Sequence, residues 1–239
     1  MIEAKRISKS YGRVKALDGI DLKVESGEIF GILGSNGAGK STLLKILACI
    51  VPPTSGEGWL CGRSILKAPT GVKGLISYLP EVPSFPDKLT GRELLEMVAS
   101  LRRLDDSAAH AWEGLAKKLD LPELDAPTET YSKGMRQKLS IILAFFHEPK
   151  VLLLDEPTSG LDPKYSRVIR QMIAQSGVTV LVSTHSAFLA QETCSRVAIL
   201  HRGRIIASGP TRSLIESASA TDLEETFITL VGRCGDERA

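Results

Sequence analysis

Apolar positions follow two distinct periods along the chain. Residues 28–33, EIFGIL, are a short continuous apolar run and predict a buried strand. The runs GLISYLP (74–80), VLLLDE (151–156), VTVLVST (178–184) and RVAILHRGRIIA (196–207) predict further strands of the same kind. Between them the period lengthens to that of a helix. LLKILACIV (43–51) predicts a helix that PPTSG (52–56) stops, and a second is expected near 164–175. From about Thr90 to His147 the chain reads as helices only: GRELLEMVASLRRL, AHAWEGLAKKLDL and KGMRQKLSIILAFF. The first 24 residues alternate and predict an antiparallel β edge, and TDLEETFITLVG (221–232) predicts a closing helix.

Apolar strands alternating with helices predict an α/β fold, a parallel sheet covered on both faces. The helical stretch, residues 81–147, then reads as a subdomain inserted between core segments 1–80 and 148–239. No internal repeat or low-complexity tract interrupts this order.

Composition narrows the classes. With 239 residues the chain is long enough to bury a core of its own. A net charge of +2, from 30 basic and 28 acidic residues, offers no electrostatic argument for nucleic acid. Cys49, Cys61, Cys194 and Cys234 form no CxxC pair and fit no zinc spacing, so reduced cytosolic thiols are expected. The start, MIEAKRISKSYG, has no apolar core of a secretory signal. Apolar stretches such as LSIILAFF (139–146) are far shorter than the roughly 20 residues of a membrane-spanning helix.

The chemistry begins after the first apolar strand. Gly34-x-x-x-x-Gly39-Lys40-Ser41 has the spacing of a phosphate-binding loop. Glycines let backbone N–H groups turn inward on phosphate oxygens, and the helix that follows points its positive end at the anion. Gly34, Ser35, Asn36, Gly37, Ala38, Gly39, Lys40, Ser41 and Thr42 are therefore the candidate nucleotide cradle. Lys40 suits the β- and γ-phosphates, and the Ser41 hydroxyl suits Mg²⁺. VLLLDEP (151–157) ends an apolar strand in two carboxylates, at the edge where α/β sheets hold their ligands. Read alone, it is a buried strand meeting solvent. Paired with the phosphate loop, it offers Asp155 to Mg²⁺ and Glu156 to an attacking water. VLVSTH (180–185) brings His185 to a third strand end, where an imidazole suits the space between γ-phosphate and water.

Seven segments in one order, Tyr11, GSNGAGKST, YLPE, YSKGMRQ, LLLDEP, SGLD and STH, resemble the nucleotide-binding subunits of ATP-binding cassette (ABC) transporters. The resemblance covers nearly the whole chain. It implies a P-loop nucleotide hydrolase (RecA-like) core, with ATP and Mg²⁺ as cofactors. It also implies an ATPase with Glu156, His185 and Lys40 as its catalytic groups. Tyr11 matches the aromatic that stacks on adenine. YSKGMRQ matches the family's signature, which caps the ATP of the opposite subunit, so Ser132 and Gly134 are expected to act in trans in a head-to-tail dimer. Asp162 matches the loop that couples the two sites. Glu81 stands where the family has a glutamine and keeps an acceptor for Mg²⁺ or water. Lys133 replaces a usual glycine and Met135 a usual glutamine in the signature.

The features YLPE, YSKGMRQK and DLEETFITLVG look most like the type-two exporter branch. That resemblance implies a separate integral membrane permease and a peripheral place on the cytoplasmic face of the cell membrane. No nucleic-acid partner is expected. The alternative is a soluble ABC ATPase acting on ribosomes or nucleic acid. Such relatives usually carry paired cassettes, long coiled coils or zinc modules, and none is found here.

Overall fold

A computed structural model describes residues 1–236. The side chains of Ser107 and of residues 234–236 lie outside that description, and the thiol expected at Cys234 lies there too. Cys49, Cys61 and Cys194 are free.

Strands β1 (Ile2–Tyr11) and β2 (Val14–Val24) pair antiparallel, as their alternation predicts. They belong to a four-stranded sheet of their own with β4 (Ser55–Leu60) and β5 (Arg63–Ser64), in the order β2-β1-β4-β5. The central sheet contains β3 (Ile29–Leu33), β6 (Ile76–Leu79), β7 (Val151–Asp155), β8 (Thr179–Thr184), β9 (Arg196–His201) and β10 (Arg204–Pro210). Its order is β10-β9-β3-β8-β7-β6, parallel except for the edge strand β10.

Helix α1 (Lys40–Leu47) follows β3, and α2 (Pro69–Lys73) precedes β6. Between β6 and β7 lie α3 (Gly91–Arg102), α4 (Asp106–Ala109), α5 (Trp112–Leu119) and α6 (Lys133–Phe145). Then come α7 (Pro163–Ala174), α8 (Ala187–Thr193), α9 (Thr211–Ser217) and α10 (Leu223–Asp236). This is the α/β architecture expected: a parallel core, an antiparallel N-terminal element and a helical insertion.

Strand β7 explains why its sequence is apolar without interruption. Side chains alternate across a strand, and both faces of this one are covered. Val151 and Leu153 enter a core shared with Phe30, Leu181, α1 and the antiparallel sheet. Leu152 and Leu154 enter a second core shared with Val180, Val182, Leu139 and Ile142 of α6, and Ile169 and Ile173 of α7. The insertion is thus continuous with the second core, and α6 packs on β6.

Helix boundaries follow capping chemistry. Thr90 and Glu93 form a reciprocal capping box at α3. Ser132 caps α6, and Asp162 followed by Pro163 starts α7. Three expectations shift. The helix expected over 43–51 begins at Lys40 and ends at Leu47, because the chain turns left-handed at Cys49 (φ 58°) before the prolines are reached. The run 109–121 divides between α4 and α5. The single strand expected over 196–207 is a hairpin, folded at Arg202 and Gly203.

Candidate functional site

The register of four neighbouring strands builds the site. Leu33 at the end of β3 pairs with Thr184 of β8, and Asp155 at the end of β7 pairs with Ser183. The phosphate loop, the Asp155–Glu156 pair, the Ser183–His185 segment and Glu81 beyond β6 therefore emerge along one carboxyl edge. This is the edge where parallel sheets bind ligands.

Two glycines are required by close packing. A Cβ on Gly34 would stand 2.5 Å from the carbonyl oxygen of Leu200. Gly39 has φ 111°, and a Cβ there would stand 2.6 Å from the carbonyl oxygen of Ala16. Gly39 is the N-cap residue of α1, which carries no acidic residue in its first turn, so the helix dipole is left for an external anion. Lys40 is buried. Its Nζ donates to the carbonyls of Gly34 (2.8 Å) and Ser35 (3.2 Å) and lies 3.5 Å from Glu156 Oε1.

Both carboxylates are buried. Asp155 Oδ1 accepts from Ser183 Oγ, while Oδ2 has no hydrogen-bond partner. Glu156 adopts φ 48°, and its amide donates to the Ser183 carbonyl at 2.9 Å. Thr184 Oγ1 donates to Glu156 Oε2 at 3.1 Å, and His185 Nδ1 lies 2.8 Å from Oε1. The imidazole itself is largely exposed. A left-handed residue other than glycine is strained, and here the strain aims the Glu156 carboxylate back between Lys40 and His185.

The cavity above this cluster has a volume of about 330 Å³ and is walled by Ala16, Asn36, Gly37, Gly39, Lys40, Ser41, Thr42, Glu81 and Glu156. Thus the structure brings together most of the loop residues, Glu81 and Glu156, with Asp155 and His185 directly behind or beside them. Tyr11, Ser132, Gly134 and Asp162 do not wall it. Tyr11 ends β1 half exposed, with Lys9 Nζ 5.1 Å from its ring centre, so it is not a core tyrosine. Asp162 Oδ1 accepts from the Tyr165 amide at 3.0 Å. Ser132 Oγ accepts from the Met135 amide at 3.2 Å, and around Gly134 the nearest atom to an added Cβ is 3.8 Å away. The first turn of α6 instead borders a second cavity, of about 370 Å³, with Glu81, Val82, Pro83, Lys133, Arg136, Gln137 and Ser159. Sequence reasoning gave no role to Ala16, Ser183 or Thr184. The segment STH carried the last two as pattern only, and nothing local marks Ala16.

A phosphate loop closing a parallel strand, a lysine at the helix start and paired acids at the end of β7, one strand further on past β8, define a P-loop nucleoside triphosphatase. Residues 17–159 match the ABC transporter family, and the chain belongs to that family. It is an ATP-binding and ATP-hydrolysing cassette. It is 36% identical to the daunorubicin/doxorubicin resistance ATP-binding protein DrrA of Streptomyces peucetius, over 99% of this chain and 73% of that protein. It is 35% identical to the ABC transporter ATP-binding protein NatA of Bacillus subtilis, over 92% of each. A solved structure described as the ATP-binding subunit of an ABC transporter superposes with a TM-score of 0.90, at 28% identity over 97% of this chain and 99% of that one. A dimeric post-hydrolysis ATP-binding cassette bound to ADP and Pi superposes with a TM-score of 0.81, at 25% identity over 88% and 98%. The alternative of a ribosome or nucleic-acid ATPase finds no support among these relatives. No helix among the described residues is long and apolar enough to cross a membrane.

Proposed function

We propose that the chain powers an exporter, as one of two cassettes that close head to tail on a separate membrane permease at the cytoplasmic face. The observation that carries this reading is a division of parts. Within one chain, Lys40 and Glu156 line the nucleotide cavity with His185 beside Glu156, while Ser132 and Gly134 do not wall it. A signature turn that lies outside its own chain's nucleotide cavity suits the nucleotide of a second copy. The resistance protein and the Nod factor export protein of Paraburkholderia xenovorans, 35% identical, support the outward direction.

In this reading Gly34–Thr42 cradles the phosphates and Lys40 exchanges the Gly34 and Ser35 carbonyls for phosphate oxygens. Glu156 orients the attacking water and His185 holds the Glu156 carboxylate in place. Tyr11 lies against adenine, and Asp162 shapes the loop between the paired sites. The buried, unpartnered Oδ2 of Asp155 suits Mg²⁺, with the Ser41 hydroxyl and Glu81 as its companions. The cation would neutralise charge on the phosphates as the bond breaks. Residues 81–147 would carry the closing motion to the permease.

The test is a pull-down from detergent-solubilised native membranes with tagged Glu156→Gln protein and ATP. Copurification of an integral membrane protein supports the reading. Recovery of ribosomal or DNA-associated material alone overturns it.

A further inference from the structure

Tyr165 lies on α7 just past the Asp162 cap, and it is almost fully buried. Its hydroxyl crosses to the insertion and donates to Asp120 Oδ2 at 2.6 Å. Asp120 closes α5 in a left-handed conformation (φ 52°), so its carboxylate is held at a fixed turn. Lys138 of α6 completes the cluster. Its Nζ donates to the Asp120 carbonyl at 3.1 Å and stands 3.5 Å from the Tyr165 ring centre. Lys164 Nζ lies 4.9 Å from the same ring. One side chain of α7 therefore holds the C-terminal end of α5 and the middle of α6, through a charge-assisted hydrogen bond and a cation–π contact.

Two further ties run the same way. Gln137 of α6 is buried, and its Nε2 donates at 3.1 Å to the carbonyl of Pro157, the residue after Glu156. The stem of Lys133 lies across Gly160, where an added Cβ would stand 2.8 Å from Lys133 Cε. The segment 157–165 is thus fastened to α6 at three levels. Its first tie adjoins the chain's own Glu156, and α6 starts at the Ser132 cap.

We propose that Tyr165 is a positioning residue for ATP hydrolysis: through Asp120 and Lys138 it sets the angle at which α6 presents Ser132 to the partner's nucleotide. The inference rests on the reading of Ser132 as a group acting in trans. Tyr165 does not wall the nucleotide cavity, so it changes the geometry of the closed pair and leaves the cradle in its own chain intact. The effect belongs to turnover, not to ATP affinity.

The full-length protein tests this with steady-state ATPase kinetics, at a temperature where every variant is folded by calorimetry. Tyr165→Phe keeps the ring and removes the hydroxyl, and Asp120→Ala removes the acceptor. Each lowers kcat about tenfold, the scale of one hydrogen bond to a charged group, with the KM for ATP unchanged within about twofold. The double variant falls no further than either single one, and Asp120→Asn, which keeps an acceptor oxygen, recovers most of the rate. A kcat within about twofold of the parent, a KM that rises as kcat falls, or additive losses overturns the proposal. Ser132→Ala is measured alongside. Full activity there overturns the trans reading and the positioning role of Tyr165 with it. An inactive Ser132→Ala beside a fully active Tyr165→Phe overturns the positioning role of Tyr165 alone.

Discussion

His185 Nδ1 stands 2.8 Å from Glu156 Oε1, and the same oxygen lies 3.5 Å from Lys40 Nζ. One carboxylate oxygen therefore faces both the Lys40 ammonium and the His185 ring, and Thr184 holds the other. Rotation of the Glu156 side chain is blocked from both ends. Glu156→Gln removes the charge while keeping the shape. Turnover should fall by at least about a hundredfold, the scale of a lost general base, while ATP binding persists. Single-turnover hydrolysis set beside equilibrium binding of a fluorescent ATP analogue separates the two effects.

His185→Ala leaves Glu156 with Lys40 and Thr184 only. Turnover should drop by about tenfold or more, less than with Glu156→Gln, because the carboxylate survives while losing the close contact of its Oε1 with the imidazole. Steady-state ATPase assays decide the order of the two variants. A larger loss at His185 would move the central chemical role to the imidazole.

Glu81 shares a wall of the nucleotide cavity with Glu156 but lies in the turn beyond β6. Glu81→Gln keeps the acceptor oxygen and restores the residue type of the family pattern. Most of the ATPase activity should remain. A loss as large as that of Glu156→Gln would give Glu81 a charge-dependent role.

Gly34→Ala would drive a methyl to 2.5 Å from the Leu200 carbonyl oxygen, which is backbone and does not give way cheaply. The substitution should cost about 1–3 kcal/mol of stability and abolish ATP binding by displacing the loop. Thermal unfolding and nucleotide titration together report both losses.

His147 follows α6, edge-on to the Phe146 ring at 5.6 Å. Burial, helped by the Arg102 cation, brings its pKa down from an ordinary 6.5 to about 4. The folded protein thus keeps this imidazole neutral where the unfolded chain binds a proton. Its contribution to stability is complete above pH 6.5 and is lost as the pH falls toward 4. His147→Phe should flatten the decline of Tm over that window relative to the parent.

What was legible in the sequence divides along physical lines. Strands β3, β7 and β8 are buried on both faces, and unbroken apolar runs cannot be mistaken for surface. The glycines of the phosphate loop and the acids at the end of β7 carry chemistry that depends on local spacing, so they are readable too. Strand β4 was missed because SGEGWL contains two glycines, and its place comes from tertiary packing: a Cβ on Gly56 would stand 2.2 Å from the Arg6 carbonyl oxygen. The hairpin between β9 and β10 did carry a signal. Arg202 and Gly203 have positive φ (47° and 79°), as a two-residue turn between paired strands demands, but the apolar run masked it. The contact of Tyr165 with Asp120 joins residues far apart in the chain, and no pattern in either neighbourhood announces it.

The order of strands also sets a schedule for synthesis. Strand β3 lies between β8 and β9, both made long after it, and the Gly203 amide donates to the Ala38 carbonyl inside the phosphate loop at 2.9 Å. A nascent chain that has emerged only as far as α6 has the glycines and the lysine but neither neighbour of β3. Its phosphate loop gains these supports only when the ribosome has passed the β9–β10 turn. Half-made protein therefore has no finished cradle with which to sequester ATP, and the same late pairing gives this fold the slow, non-local folding step expected of parallel sheets.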